Sequence, residues 1–73
     1  MSFHATLPVG ARYFLDSRAR EWKAFERQRV RPDGDPVTVL VFESAVSFRC
    51  VHSYPVRWAD LSDQALEELS WRA

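Results

Sequence analysis

Cys50 and His52 are the side chains of this sequence whose types are best suited to chemistry. They stand two positions apart, so on a β-strand they would face the same way. A thiolate–imidazole pair or half of a metal site would use that spacing. A zinc site needs three or four ligands, however, and the only other histidine is His4. We therefore interpret Cys50 as a small core residue beside Phe48, with His52 at the strand end, and predict no metal site.

Pairs of acidic residues are the other arrangement that could support catalysis. Asp60 with Asp63, or Glu67 with Glu68, could in principle act as a general acid and base. All four lie on or near a predicted helix, where carboxylates solvate a surface and favour the N-terminus. The sequence contains no phosphate-binding loop, nucleophile elbow or dinucleotide fingerprint. We predict a non-catalytic protein with no catalytic residue, no cofactor and no small-molecule substrate.

Positive charge is concentrated in one segment of a chain whose net charge is zero. Residues 18–31 carry a net charge of +4, and residues 32–73 carry −4. On a strand, alternate arginines would share one face and could meet nucleic-acid phosphates, anionic lipid headgroups or acidic termini of partner proteins. The alternative is a solvated edge strand that its charges protect from aggregation. The cations of the segment are Arg18, Arg20, Lys23, Arg27, Arg29 and Arg31.

The elements that must position these residues are organised around the stretch 37–51. Residues 37–42 are apolar on both faces apart from Thr38, which is typical of a central strand covered on both sides. Residues 43–45 are short enough for a hairpin connection. The following strand alternates, with Phe48 and Cys50 on one face and Arg49 on the other.

The N-terminal half is less clear. We assign residues 1–11 to an N-terminal arm and residues 12–73 to a single domain, with a first strand at 12–15 and a turn after it. Residues 20–30 fit either a helix or a strand in which Trp22 and Ala24 point inward.

A short helix is predicted at the C-terminal end. Ser62 is a suitable N-cap, and Leu61 with Leu66 has the spacing of a hydrophobic staple. Leu66, Leu69 and Ala73 line one side. A helix of about nine residues is too short to be stable alone, so we expect it to pack on the sheet.

The C-terminal half resembles a group of small, uncharacterised bacterial proteins. The resemblance implies four strands and a C-terminal helix, and it favours the strand for residues 20–30. The fold class is therefore α+β, a small antiparallel four-stranded β-meander with one C-terminal helix. The sequence departs from the group at Ala19, where a turn glycine is usual. The matching residues are Leu40-Val41-Phe42-Glu43-Ser44, Arg49, Tyr54-Pro55, Trp58, Leu61-Ser62-Asp63 and Leu66-Glu67-Glu68-Leu69, together with Phe14, Asp16 and Trp22 in the first hairpin.

The chain also looks like the small membrane-extrinsic subunits that hold a bacterial photosynthetic reaction centre inside its light-harvesting 1 ring. That resemblance implies a structural subunit whose partners are other polypeptides of a membrane-bound complex, with anionic lipid headgroups as a further contact. The alternative is a small regulatory protein that binds nucleic acid through its arginine edge. We expect the partner surface to include Phe3, Trp58 and Trp71 in addition to the six cations of residues 18–31.

Size and composition fit such a role. A domain of 73 residues buries only about 60% of its unfolded surface and benefits from a partner. The single cysteine excludes an internal disulfide and suits a reducing compartment. Neither a secretory signal nor an apolar run of membrane-spanning length is expected. We therefore expect a cytoplasmic protein, with a peripheral position on the cytoplasmic face of the inner membrane as a further expectation.

Overall fold

The computed structural model describes residues 10–72, which form one antiparallel sheet and one α-helix. The strands lie in chain order, each antiparallel to the next, so the predicted four-stranded sheet with a C-terminal helix is confirmed. Most of the predicted arm, including Phe3, lies outside the described residues. The elements are β1 (Arg12–Leu15), β2 (Glu21–Val30), β3 (Pro36–Glu43), β4 (Phe48–Val51), a 3₁₀ turn (Trp58–Asp60) and α1 (Asp63–Ser70).

The stretch that fits either a helix or a strand by its pattern is a strand, β2. Trp22 and Ala24 are buried on one side of the sheet, as predicted for a strand. Lys23 and Phe25 alternate with them and are half-buried on the other side. Ten residues of β2 pair with β3 or β1, and these tertiary pairings override the weak local pattern.

The turn between β1 and β2 is organised by the carboxylate of Asp16. Its Oδ1 accepts hydrogen bonds from the backbone N–H groups of Arg18 at 2.8 Å and Arg20 at 2.9 Å. Its Oδ2 accepts one from the indole N–H of Trp22 at 2.9 Å. Ala19 closes the turn with a φ of 60°, a left-handed conformation that costs an L-residue about 1–2 kcal/mol. The turn therefore forms with alanine at a position that favours glycine.

The core lies on one face of the sheet, which we call the inner face. α1 packs across it, and the rings of Phe14 and Phe42 meet edge to face with centroids 6.1 Å apart. Aromatic pairs of this geometry contribute beyond their buried area. The buried cluster consists of Phe14, Trp22, Ala24, Leu40, Phe42, Val51, Trp58, Leu66 and Leu69.

The helix begins and docks as the sequence predicts. The hydroxyl of Ser62 accepts a hydrogen bond from the backbone N–H of Ala65 at 3.1 Å, which satisfies one of the free donors of the first turn. Leu66 and Leu69 are buried, and Leu61 packs against the same cluster. Ala73, predicted to share this side, lies outside the described residues.

The side of β4 that faces the core is the opposite of the one that we predicted. Arg49 pairs with Phe42 and Val51 with Leu40, so Arg49 and Val51 share the inner face. Phe48 is exposed and Cys50 half-buried on the other face, so the prediction of Cys50 as a core residue is wrong. Because β3 is apolar on both faces, its pattern alone could not indicate which face α1 would cover.

Within residues 10–72, neither helical segment combines the length and the apolar character that crossing a bilayer requires.

Candidate functional site

The face of the sheet opposite α1, which we call the outer face, is the main candidate for binding a partner. The strand register sets its side chains in rows across the sheet. One row runs Tyr13, Lys23, Glu43 and Phe48. The next rows hold Phe25, Val41 and Cys50, then Arg27 with Val39, and then Arg29 with Val37. Among residues 10–72, no helix or further strand packs on this face.

Large apolar side chains are exposed along two edges of the outer face. Tyr13 is 67% exposed and Leu15 50% on β1, and Phe48 is 57% exposed on β4. Val39 and Val41, between these edges, are buried. Singly exposed apolar residues are ordinary, whereas several on one face together with aromatic rings and arginines are typical of an interaction surface.

Three of the predicted cations belong to the outer face. Lys23 lies between the exposed rings, where its Nζ is 3.5 Å from a carboxylate oxygen of Glu43 and 5.0 Å from the ring centroid of Phe25. Arg27 and Arg29 stand further along β2, and Arg29 Nη1 is 3.9 Å from Cys50 Sγ. The face therefore carries one paired cation in the row of Tyr13 and Phe48 and two arginines toward its other end.

Two of the other predicted cations do not join them, because Arg18 and Arg20 lie in the β1–β2 turn. Arg31 follows β2 directly, two residues after Arg29, and its backbone N–H bonds toward β3. Strands rise about 3.3 Å per residue, so the two ends of β2 are on the order of 30 Å apart. The basic segment is continuous in sequence but divides into two separate regions of the surface.

The predicted aromatic contacts are also divided. Trp58 is only 5% exposed and belongs to the core, so it offers almost no surface to a partner. The 3₁₀ turn places its ring on the cluster beneath α1. Trp71 is 67% exposed just after α1, on the inner-face side near the β1–β2 turn. Phe3 lies outside the described residues.

Arg49 is the polar residue of the inner face whose role the sequence did not reveal. Its guanidinium carbon lies 3.7 Å from the ring centroid of Trp71 and 4.8 Å from that of Trp22. Its Nη1 donates to the hydroxyl of the buried Ser70 at 3.0 Å, and that hydroxyl donates to the carbonyl of Glu67. This arginine ties β4 to both β2 and the end of α1. The sequence did offer one indication of its position. Arg49 and Val51 are two residues apart, so on a strand they lie on the same face.

The acidic residues of α1 do more than solvate a surface. Asp63 Oδ1 accepts from Arg12 Nη2 at 2.8 Å. Glu67 accepts from the backbone N–H and the hydroxyl of Ser17, each at 2.9 Å. Our expectation that these carboxylates only solvate the surface is therefore wrong for Asp63 and Glu67. Asp63 bonds α1 to β1, and Glu67 bonds α1 to the β1–β2 turn.

The described residues also bear on the metal site that the sequence argued against. Residues 10–72 contain no group of three or more histidine, cysteine or acidic side chains placed to hold a metal ion. His52 is exposed beside the half-buried Cys50. The cleft next to Arg49, about 210 Å³ in volume, is lined by Asp16 and Glu67 among others, and each of these carboxylates accepts a hydrogen bond from a backbone N–H group of the β1–β2 turn.

Two titratable groups are shifted by their surroundings. The indole N–H of Trp22 and the backbone N–H groups of Arg20 and Arg18 lower the pKa of Asp16, because they bind its charged form. Burial, together with the hydrogen bond to Glu26 at 2.9 Å, raises the pKa of Tyr54 to about 12. Asp16 thereby holds the β1–β2 turn, and Tyr54 bonds the loop after β4 to β2.

Comparison with protein-family models, with curated proteins and with solved structures found no match to this chain. The family resemblances described from the sequence therefore remain predictions.

Proposed function

We propose that this protein is a non-catalytic interaction subunit that docks on other polypeptides through the outer face of its sheet. The observation that carries the proposal is the set of exposed apolar side chains on that face, Tyr13, Leu15 and Phe48. Together with the arginines of β2, they supply the residue types that dominate protein interfaces.

The geometry of the face supports a packed interface rather than a purely electrostatic one. The charges between Tyr13 and Phe48 are already paired, since Lys23 and Glu43 are 3.5 Å apart. Burying exposed apolar area contributes roughly 25 cal/mol per Å², so three such side chains provide a useful driving force. Arg27 and Arg29 then add orientation and a faster encounter with an acidic partner.

Some of the predicted partner-binding residues lie outside this proposal. Trp58 is in the core, whereas Arg18, Arg20 and Trp71 lie beside the helix rather than on the outer face. In the proposed mode of docking, these three residues remain in solvent.

The assembly that we propose is a photosynthetic reaction centre within its light-harvesting 1 ring, with this chain as a small extrinsic subunit. This finer assignment rests on the resemblance of the sequence alone. It includes a peripheral position on the cytoplasmic face of the membrane, where anionic headgroups would meet the arginines.

The test is to fractionate cells of the native host that express the tagged chain. Unchanged protein is expected to sediment with membranes and to leave them in mild detergent within a large complex. Replacing both Tyr13 and Phe48 by Glu should release the chain into the soluble fraction, because two charges would be buried in the interface. A matched control is Val56→Glu, since Val56 is 94% exposed in the loop after β4.

Three results would overturn the proposal. They are a monomer in the soluble fraction, release by nuclease instead of detergent, and equal association of the paired variant and the wild type. Release by nuclease, together with a steep loss of binding as salt rises, would favour nucleic acid as the partner. Thermal melts check that every variant is folded. Val56→Glu should agree with the wild type, because Val56 is exposed. A modest loss is expected for the paired variant, because a carboxylate at position 48 lies directly opposite Glu43.

A further inference from the structure

About half of β2 extends beyond β1, the shorter of the two strands that pair with it. β1 pairs only with residues 21–24, whereas β3 pairs with β2 from Lys23 to Val30. From Glu26 to Val30, β2 therefore has β3 on one side and, among residues 10–72, no strand on the other.

The hydrogen bonds at the two ends of β2 show which residues face that open side. The N–H of Arg31 donates to the carbonyl of Asp35, across the hairpin toward β3, at 2.9 Å. The carbonyl of Arg20 accepts from the N–H of Asp16, on the β1 side, at 3.0 Å. Backbone groups alternate along an antiparallel strand. Glu26, Gln28 and Val30 therefore direct their N–H and C=O groups away from β3, and we call these three residues the open edge.

The side chains next to the open edge are basic on one face. Arg27 and Arg29 stand on the outer face, both exposed, and no carboxylate of residues 10–72 forms an ion pair with either. Glu26 lies on the opposite face, where it accepts a hydrogen bond from Tyr54. Its charge is therefore kept on the other side of the sheet from the two arginines.

We propose that the open edge binds an extended strand of a partner protein that carries acidic side chains at alternate positions. Three N–H donors and three carbonyl acceptors form main-chain hydrogen bonds to the added strand, which is the β-augmentation mode of peptide recognition. Side chains alternate along a strand, so every second residue of the partner lies beside Arg27 and Arg29. This inference rests on the proposed function, because it names the chemistry of the partner.

Gln28 permits a sharp test, because its N–H faces the open edge and makes no bond to β3. Gln28→Pro removes that donor and leaves the β2–β3 ladder in place, since proline is tolerated where the N–H faces solvent. Gln28→Ala is the matched control, because it removes the side chain and keeps the N–H. The probe is a capped synthetic peptide of about seven residues with glutamate alternating with valine, long enough to span the edge. A second peptide carries lysine in place of glutamate.

Titration of the full chain should give saturable binding of the glutamate peptide and slower exchange of the amide hydrogens of Glu26, Gln28 and Val30. Gln28→Pro should weaken binding at least about tenfold, whereas Gln28→Ala should stay within about twofold. A variant with both Arg27 and Arg29 replaced by Glu should also lose about tenfold or more, because it reverses the charge that selects the peptide. This variant keeps the test valid if Gln28→Pro fails to fold.

Other results would overturn the inference. One is slow exchange of the three amides in the free chain, which would mean that the edge is already paired. Others are no binding of the glutamate peptide, equal binding of the lysine peptide, or full binding to a folded Gln28→Pro variant. One combination is a peptide that fails to bind while the wild-type chain is still extracted in a large complex and the variant of Tyr13 and Phe48 is not. That combination refutes the open edge alone and leaves the proposed docking through the outer face in place. If the peptide binds but the chain is a soluble monomer in cells, only the proposed docking through the outer face falls.

Discussion

Replacing Arg49 by Ala should destabilise the domain more than any other substitution of an arginine in β2 or β4. Its guanidinium lies 3.7 Å from the Trp71 ring centroid and 4.8 Å from that of Trp22, and it donates to Ser70 at 3.0 Å. A cation–π contact contributes about 0.5–1 kcal/mol at an exposed site, and a charge-assisted hydrogen bond about 1.5–3 kcal/mol. These contacts share one side chain and are not additive, so we expect Arg49→Ala to lower the free energy of unfolding by about 2–4 kcal/mol.

The measurement is urea unfolding followed by far-UV circular dichroism, because tryptophan fluorescence would respond directly to removal of the arginine. Thermal unfolding gives a second measurement. In a domain of this size a loss of about 1 kcal/mol lowers Tm by roughly 4–8 °C, so Tm should fall by about 10 °C or more. Arg49→Lys should recover only part of the loss, because an ammonium group lacks the planar surface that stacks on the rings.

Arg57→Ala is the matched control. Arg57 pairs with Asp60 at 3.0 Å, but both side chains are largely exposed, and such pairs contribute about 0.2–1 kcal/mol. The reasoning is refuted if Arg49→Ala costs no more than Arg57→Ala, or if Arg49→Lys is as stable as the wild type. Either result would mean that the guanidinium does not join β4 to β2 and α1.

Three further predictions concern the same fold. Leu66→Ala should unfold or severely loosen the domain, since truncating a buried leucine costs about 2–5 kcal/mol; an unchanged melting curve would mean that α1 is not docked. Ala19→Gly should raise the unfolding free energy by a few tenths to about 1 kcal/mol in urea titrations, because glycine adopts the φ of 60° without strain; a loss of stability would contradict the left-handed turn. Tyr54 should ionise near pH 12 in an absorbance titration, with Tyr54→Phe identifying its signal. Because the folded pKa is raised above 10.0, the stabilisation from Tyr54 should persist below pH 10 and disappear as the pH rises through about 12; ionisation near pH 10 would contradict the burial and the bond to Glu26.

The parts of the fold that local chemistry dictates were predictable from the sequence. Ser62 and Leu66 show the start of α1 and its buried side, because capping and staple residues act over a few positions. The tight loop before β3, residues 31–35, is equally visible in Pro32 and Gly34. The strand assignment of β2 needed the resemblance, since Trp22, Ala24 and Phe25 fit neither period clearly.

The face of the sheet that receives α1 could not be predicted in the same way. β3 is apolar on both sides, and a register change of one residue would exchange the faces. We therefore predicted that Cys50, and not Arg49, lies on the core side of β4, although the guanidinium of Arg49 contacts two indole rings on the inner face. Strand alternation in the sequence puts Arg49 on the same face as Val51, but it does not show that the indole rings of residues 22 and 71 lie on that face.

The candidate site was predicted only in part, for a related reason. Sequence proximity suggested one basic surface over residues 18–31, but an extended strand separates its ends and alternates its side chains between two faces. Lys23, Arg27 and Arg29 share the outer face with Tyr13 and Phe48 because of the strand register, which composition cannot supply.

The central claim is that the outer face meets the partner, and footprinting of side chains tests it most directly. Hydroxyl-radical labelling of the chain within its detergent-extracted complex is compared with labelling of the free chain. We predict that Tyr13, Leu15 and Phe48 become protected in the complex, while Val56 and Trp71 are labelled equally in both states. Protection of Trp71 or Val56 with unchanged labelling of the outer face would contradict the account.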